Sequence, residues 1–175
     1  IFAKIVAILR IAVPYTGLIV STRETKKSRE KVLELGVSQI SGGSRTNVGG
    51  YATEEPKEED TSQFELEDRR TLDQVVNWLL ALGHIPSFCT ACYREGRTGD
   101  RFMSLVKSGQ IANCCQPNAL MTLKEYLEDY ASPDTKIKGE ALIQKELQAI
   151  TNEKVRNITI ERLGLIGLGQ RDFRF

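Results

Sequence analysis

Histidine is almost missing: His84 is the only one in 175 residues. A metal site built from several imidazoles is therefore excluded, and Ser–His catalysis has a single residue to draw on. Neither sign of charge is in excess. Twenty-four Lys+Arg against 23 Asp+Glu leave a net +1, which removes the signature of a polyanion binder, so no nucleic acid is expected as a partner. A long uncharged apolar run is also lacking. The opening IFAKIVAILRIAVPYTGLIV is broken by Lys4, Arg10 and Pro14, short of the roughly 18 residues that a membrane span needs. No small-residue cleavage site follows it, so it is no signal peptide. The expectation is a soluble, cytoplasmic protein with no membrane partner. The first residue is Ile1 rather than Met, which suggests processing or a piece of something longer.

What is present is ordinary globular material, 41% hydrophobic and 27% charged, enough for one domain or two small ones. Apolar spacing at Ile1, Ile5, Ile8 and Leu9 predicts a helix ended by Pro14. Leu18-Ile19-Val20 predicts a short buried strand. Residues 24–35 predict a helix stopped by Gly36, and 37–40 a second strand. Helix, strand, helix, strand with short loops is α/β organisation with parallel strands. Two such strands cannot bury both faces of a parallel sheet, so residues 1–50 read as the end of a larger α/β fold.

Residues 51–70 break the pattern. Between Ala52 and Asp68 lie eight acids and one lysine, a composition that favours a solvated acidic linker over an acidic binding surface. From 71 onward the spacing is helical. Leu72, Val75, Val76, Leu79 and Leu80 share one face, with Thr71 and Gln74 as a capping box and Gly83 beyond the end. Phe102, Leu105 and Val106 mark a short helix closed by Gly109. Thr122 and Glu125 suggest a capping box ahead of Leu123, Tyr126 and Leu127. A longer helix is expected over 136–150, and a weaker one in 152–175, where Gly164, Gly167 and Gly169 lower the propensity. Residues 71–175 thus read as a small all-helical domain, and no internal repeat is evident.

The four cysteines are too sparse for a disulfide scaffold, but they cluster: Cys89 and Cys92 form a C-x2-C, and Cys114 and Cys115 are adjacent. In a reducing compartment this arrangement points to metal or redox chemistry. Zinc is one reading, held by Cys89, Cys92 and Cys115 with His84 or Cys114 as the fourth ligand. An iron–sulfur cluster on Cys89, Cys92 and Cys115 is another. A thioredoxin-type pair fits poorly, because such pairs open a helix after a strand. Unliganded buried cysteines are the fourth reading. Arg94, Arg97 and Arg101 lie in the same loop, either as a solvated flank or as groups that steer an anion.

The full pattern is C-x2-C-x22-C, set in SFCTACYREGRTGDRFM and CQPNALMTLKEYLEDYA. With STRE at Ser21–Glu24 and SGGSRTNVGGY at Ser41–Tyr51, it resembles the C-terminal part of the HydG-type radical SAM tyrosine lyases. STRE and the Gly/Ser motif mark the tyrosine-lyase group. The cysteine spacing marks HydG rather than the thiamine-pathway enzyme ThiH. The resemblance implies that residues 1–50 are the last part of a radical SAM (βα)8 barrel, and that 71–175 form an auxiliary 4Fe-4S cluster domain. It implies Cys89, Cys92 and Cys115 as the cluster ligands, with an additional iron possible, and Cys114 as a neighbour. It also implies tyrosine as substrate, cleaved to p-cresol and dehydroglycine, the latter converted to carbon monoxide and cyanide for hydrogenase maturation proteins. Arg23, Ser41 and Ser44 then become candidate contacts for the tyrosine.

Two departures qualify this. The family's C-x3-C-x2-C motif, which binds the second 4Fe-4S cluster and S-adenosylmethionine, does not occur in the 175 residues. The family's iron-associated histidine has no counterpart in His84. The chain by itself is therefore expected to produce neither p-cresol nor carbon monoxide. Its first 50 residues are expected to be completed by a missing barrel segment or by another copy of the chain. The alternatives are a ThiH-like 2-iminoacetate synthase and a zinc-stabilised helical binding module.

Overall fold

The structure is a computed structural model, described here for residues 1–46, 50–52 and 65–175. Most of the acidic segment, and the centre of the SGGSRTNVGGY motif, lie outside the described residues. Those residues form eight α-helices and two very short strands, so the chain is mostly helical. It divides into two compact units, Ile1–Val75 and Val76–Phe175. None of the described helices is long and apolar enough to cross a membrane.

The first unit contains α1 (Phe2–Ala12), β1 (Ile19–Val20), α2 (Lys26–Glu34) and β2 (Gln39–Ile40). The strands pair in parallel, Ile19 with Gln39 and Val20 with Ile40, across a helical connection, as the α/β pattern predicts. Helix α2 begins where the Thr25 side chain accepts the Ser28 N–H at 3.2 Å. It ends in a Schellman turn: Gly36, at φ +93°, donates to the Leu33 carbonyl and Val37 to that of Val32. Val6, Val20, Val32 and Val37 form the small core, with Leu18, Leu33, Leu35 and Ile40 against it. This is one β–α–β unit; two strands of two residues do not by themselves establish a barrel.

Beneath that core lies a polar knot that the sequence pattern did not predict. Arg29, with no exposed surface, pairs with the nearly buried Asp68 and donates to the Ser41 carbonyl. Arg70 closes the other side of Asp68 at 2.6 and 2.9 Å. The N–H groups of Glu67 and Asp68 both donate to the Thr22 carbonyl. One carboxylate between two guanidiniums thus ties the chain on either side of the acidic segment to the ends of both strands.

The second unit carries the rest of α3 (Leu72–Ala81), with α4 (Ala91–Arg94), α5 (Gly99–Lys107), α6 (Ala112–Asp129), α7 (Pro133–Ala149) and α8 (Glu153–Gly167). The expected capping box is in place on α3: Gln74 N–H donates to Thr71 Oγ1 at 3.3 Å, and Thr71 N–H to Gln74 Oε1 at 2.9 Å. Helix α6 is the centre of the core. Its Leu120, Met121, Leu123, Tyr126 and Leu127 pack with Leu142, Ile143 and Leu147 of α7 and Leu163 and Ile166 of α8. The capping box expected at Thr122 and Glu125 is corrected. Helix α6 starts ten residues earlier, at Ala112, and Thr122 sits inside it, donating to the carbonyls of Asn118 and Ala119. Local pattern and start signal look alike here because a mid-helix threonine can satisfy its hydroxyl on the preceding turn. Helix α7 likewise begins earlier than expected, with Pro133 in its first turn.

Candidate metal centre

The four cysteines belong to two segments of the second unit. Cys89 ends the loop into α4, where its Sγ accepts the Ala91 N–H at 3.4 Å. That loop is fixed to α6 from both sides of Phe88. Its N–H donates to Thr122 Oγ1 at 3.2 Å, and its ring stacks on Tyr126 at 5.0 Å. Thr122, misread as a cap, is therefore a dock for the cysteine loop. Cys92 lies inside α4. The helix closes in a Schellman turn in which Gly96, at φ +60°, donates to the Tyr93 carbonyl and Arg97 to that of Cys92, the latter at 2.8 Å. Cys114 and Cys115 stand in the first turn of α6, both donating their N–H to the Ile111 carbonyl. Cys92, Cys114 and Cys115 are thus helical, and Cys89 lies in a connection.

Successive side chains on a helix diverge by about 100°, so the two adjacent thiols face different ways. Cys114 shares a face with Asn118, one turn on. Arg97 donates to Cys114 Sγ at 3.3 Å. Cys115 is exposed as a residue, yet its thiol is held above the ordinary range. Desolvation is the main cause, followed by the neighbouring Cys92, Cys89 and Cys114, with Arg97 opposing. The geometry joins one guanidinium to one of these thiols, Arg97 to Cys114. As they stand, no three His, Cys, Asp or Glu side chains among the described residues converge closely enough to hold a metal ion. The donor set is nevertheless of the right chemistry: soft thiols from two segments. His84 is exposed; its N–H closes α3 on the Leu79 carbonyl.

The three loop arginines separate. Arg94 forms a two-pronged pair with Asp172, and Arg101 donates to the Glu95 carbonyl. Only Arg97, 9% exposed, reaches a sulfur. In the first unit, Arg23 and Ser41 follow the same ends of the parallel strands. Arg23 is exposed, its N–H donating to Ser21 Oγ at 3.1 Å. The N–H of Ser41 is bound by the Val20 carbonyl, and Ser44 is half-buried. Asn118, 2% exposed, is a site neighbour that sequence reasoning missed, although its spacing of four from Cys114 on one helix face was a signal.

Residues 1–85 match the Biotin and Thiamin Synthesis associated domain. A HydG structure described as a maturase of the FeFe-hydrogenase superposes with a TM-score of 0.92 at 52% identity, over 99% of this chain and 37% of that one. The chain is HydG-like. It corresponds to the C-terminal portion of such a protein. The HydG of Carboxydothermus hydrogenoformans, also a hydrogenase maturase, matches at 38% identity and a TM-score of 0.67, over 93% of this chain and 33% of that one. The 2-iminoacetate synthase of Salmonella typhimurium is 36% identical over 77 residues, 44% of this chain and 20% of that protein. The chain thus spans about a third of its solved HydG relatives and a fifth of the curated one.

Proposed function

We propose that this chain is the C-terminal part of a HydG-like radical SAM tyrosine lyase and provides its auxiliary cluster site. Cys89, Cys92 and Cys115 hold one 4Fe-4S cluster, and Cys114 stands beside it. The observation that carries this is the 52% identity to HydG over 99% of this chain, which spans both cysteine segments. When bound, three thiolates leave one iron without a protein ligand, an open position suited to binding rather than to structural support. The complete enzyme would act on tyrosine, giving p-cresol and dehydroglycine and, from the latter, carbon monoxide and cyanide for hydrogenase maturation; a second cluster with S-adenosylmethionine, held outside this chain, would supply the radical chemistry, and a cluster held by Cys89, Cys92 and Cys115 would supply an open iron position. Arg23, with Ser41 and Ser44, holds the amino acid at the strand ends, where a guanidinium fork suits a carboxylate. The exposed apolar side chains of α1, Phe2, Ile5, Ile8 and Ile11 among them, are covered there by the remainder of the barrel.

Anaerobic reconstitution with iron and sulfide tests the site. Wild type and Cys114→Ala should turn brown and carry equal iron, and Cys115→Ala should stay colourless. Equal loss in both variants refutes the ligand assignment. The match to 2-iminoacetate synthase favours a second reading, a ThiH-like enzyme, in which the helical unit takes up no cluster. Zinc uptake without iron would instead mark a zinc-stabilised module. In a protein that carries the whole barrel, Arg23→Lys should raise the KM for tyrosine severalfold; unchanged kinetics would exclude that contact.

A further inference from the structure

The residues after α8 form no element of their own, yet they make several polar contacts to the cysteine-bearing segments. Asp172 takes Arg94 in a two-pronged pair. Arg174 reaches Glu95 at 2.7 Å. Arg97 donates to the Phe175 carbonyl at 2.5 Å. All three partners lie in the turn that ends α4, and the Schellman bond from Arg97 to the Cys92 carbonyl makes that turn rigid with Cys92. The other side of the tail is seated on the core. Phe175 N–H donates to Asn118 Oδ1 at 2.9 Å, and Asn118 Nδ2 returns to its carbonyl at 3.5 Å. Asp172 N–H donates to Glu125 at 2.7 Å. Arg162 of α8 lies 4.5 Å over the Phe175 ring and donates to the Arg174 carbonyl.

We propose that residues 171–175 are a clasp that sets the position of the Cys92 turn against the α6 thiols, with Arg97 as its positioning residue. Arg97 touches both sides, bonding Cys114 Sγ and the Phe175 carbonyl from one buried guanidinium. Asn118, a turn after Cys114, anchors the same terminal residue, so tail and thiol are registered on one face of α6. The Nε–H of Arg97 is buried with no acceptor among the described residues, which leaves a donor beside the thiols for an anionic sulfur or ligand. The clasp's purpose rests on the cluster reading above; its geometry does not.

The test is amide hydrogen exchange of residues 92–97 in the metal-free full chain, followed by iron retained against a chelator after reconstitution. Losing a charge-assisted bond of this kind should speed exchange about tenfold or more in Arg97→Gln, with the α6 and α7 amides unchanged. Arg97→Lys, which keeps the charge but not the fork, should recover part of the protection. Glu95→Arg and Arg174→Glu should each speed exchange in the turn, and the two together should restore it, an outcome that misfolding cannot mimic. Iron loss should follow the same order. Unchanged exchange in Arg97→Gln, or a double swap no better than either single change, overturns the clasp. Exchange that follows the expected order in a chain that takes up no cluster supports the clasp and refutes the proposed function instead.

Discussion

The two units solve the same problem with unequal means. The second surrounds one long helix, α6, with two others and buries thirteen hydrophobic residues in a single cluster. The first has four buried valines in its cluster, while Ile5, Ile8, Leu9 and Ile11 of its opening helix face solvent. Apolar burial is the main favourable term in folding, so the second unit carries its stability in side-chain packing. The first relies more heavily on fixed polar geometry: two Schellman or cap-closed helix ends and the Arg29–Asp68–Arg70 knot. The difference teaches where each unit is vulnerable, and it can be tested by striking each at its own support.

The largest effect is expected at Asp68. Replacing it by Asn leaves the buried Arg29 charge without its carboxylate, a change that costs about 3–5 kcal/mol when a buried pair loses one partner. Exchange protection at Val20 and Val32 should collapse while that at Leu120 and Ile143 stays. Equal protection in both units would show that the valine core, not the knot, holds the first unit. The same group gives a pH test. The Arg70 hydrogen bond is the main reason the Asp68 carboxyl lies below the ordinary range; the Arg70 N–H and the Arg29 charge add to it, against desolvation. A carboxyl depressed in the folded state stabilises above its unfolded pKa of about 3.9 and loses that contribution as pH falls through the lower folded value. The first unit should therefore open on acidification below about pH 4, as followed by exchange.

A smaller loss is expected at the helix contact of the second unit. A Cβ on Gly139 would lie 2.5 and 2.6 Å from the methyl carbons of the buried Leu127. Helix propensity favours alanine by about 1 kcal/mol, but overpacking of this kind costs typically 1–3 kcal/mol. Gly139→Ala should lower stability by about 1 kcal/mol net, measured by urea unfolding. A stabilised variant would mean that α7 yields more readily than a packed core should.

Much of this was legible in the residues. The period-3.6 apolar spacing gave α3 and its capping box, and Gly36, Gly83 and Gly109 closed their helices with the positive φ that glycine tolerates. C-x2-C and Cys114-Cys115 pointed to the candidate site because thiols draw their meaning from one another, and that assignment rests on the reconstitution proposed above. Three things were hidden. The start of α6 was masked because its first turns, ANCCQPN, are mostly polar, carry no apolar period and include a proline. The buried Arg29 sits in KKSREKVLE, where nothing local separates a solvated arginine from one with a distant carboxylate. The tail partners of Arg94, Glu95 and Arg97 lie 78 or 79 residues away, beyond any local pattern. Long-range polar pairing carries no period, so it escapes a reading built on periodicity.

The smallest effect sharpens the comparison from the opposite direction. Gly164 stands inside α8, exposed, with no positive φ and nothing within 4 Å of a Cβ placed on it. The weak helical expectation for this segment came from such glycines, yet α8 forms over fifteen residues because Leu163 and Ile166 are buried against α6 and α7. Packing has overridden propensity there, and the propensity term is still open to gain. Gly164→Ala removes backbone freedom from the unfolded chain without touching a contact, so it should stabilise the second unit by about 0.5–1 kcal/mol. The gain should appear as a higher urea midpoint at unchanged slope. It should be absent from exchange in the first unit. Set beside Gly139→Ala, the same substitution with the opposite sign, it separates the two roles glycine has in this bundle: a gap that lets helices meet at α7, and a mere weakness at α8. A loss at Gly164 comparable with that at Gly139 would show that α8 packs more tightly along its outer face than the structure allows.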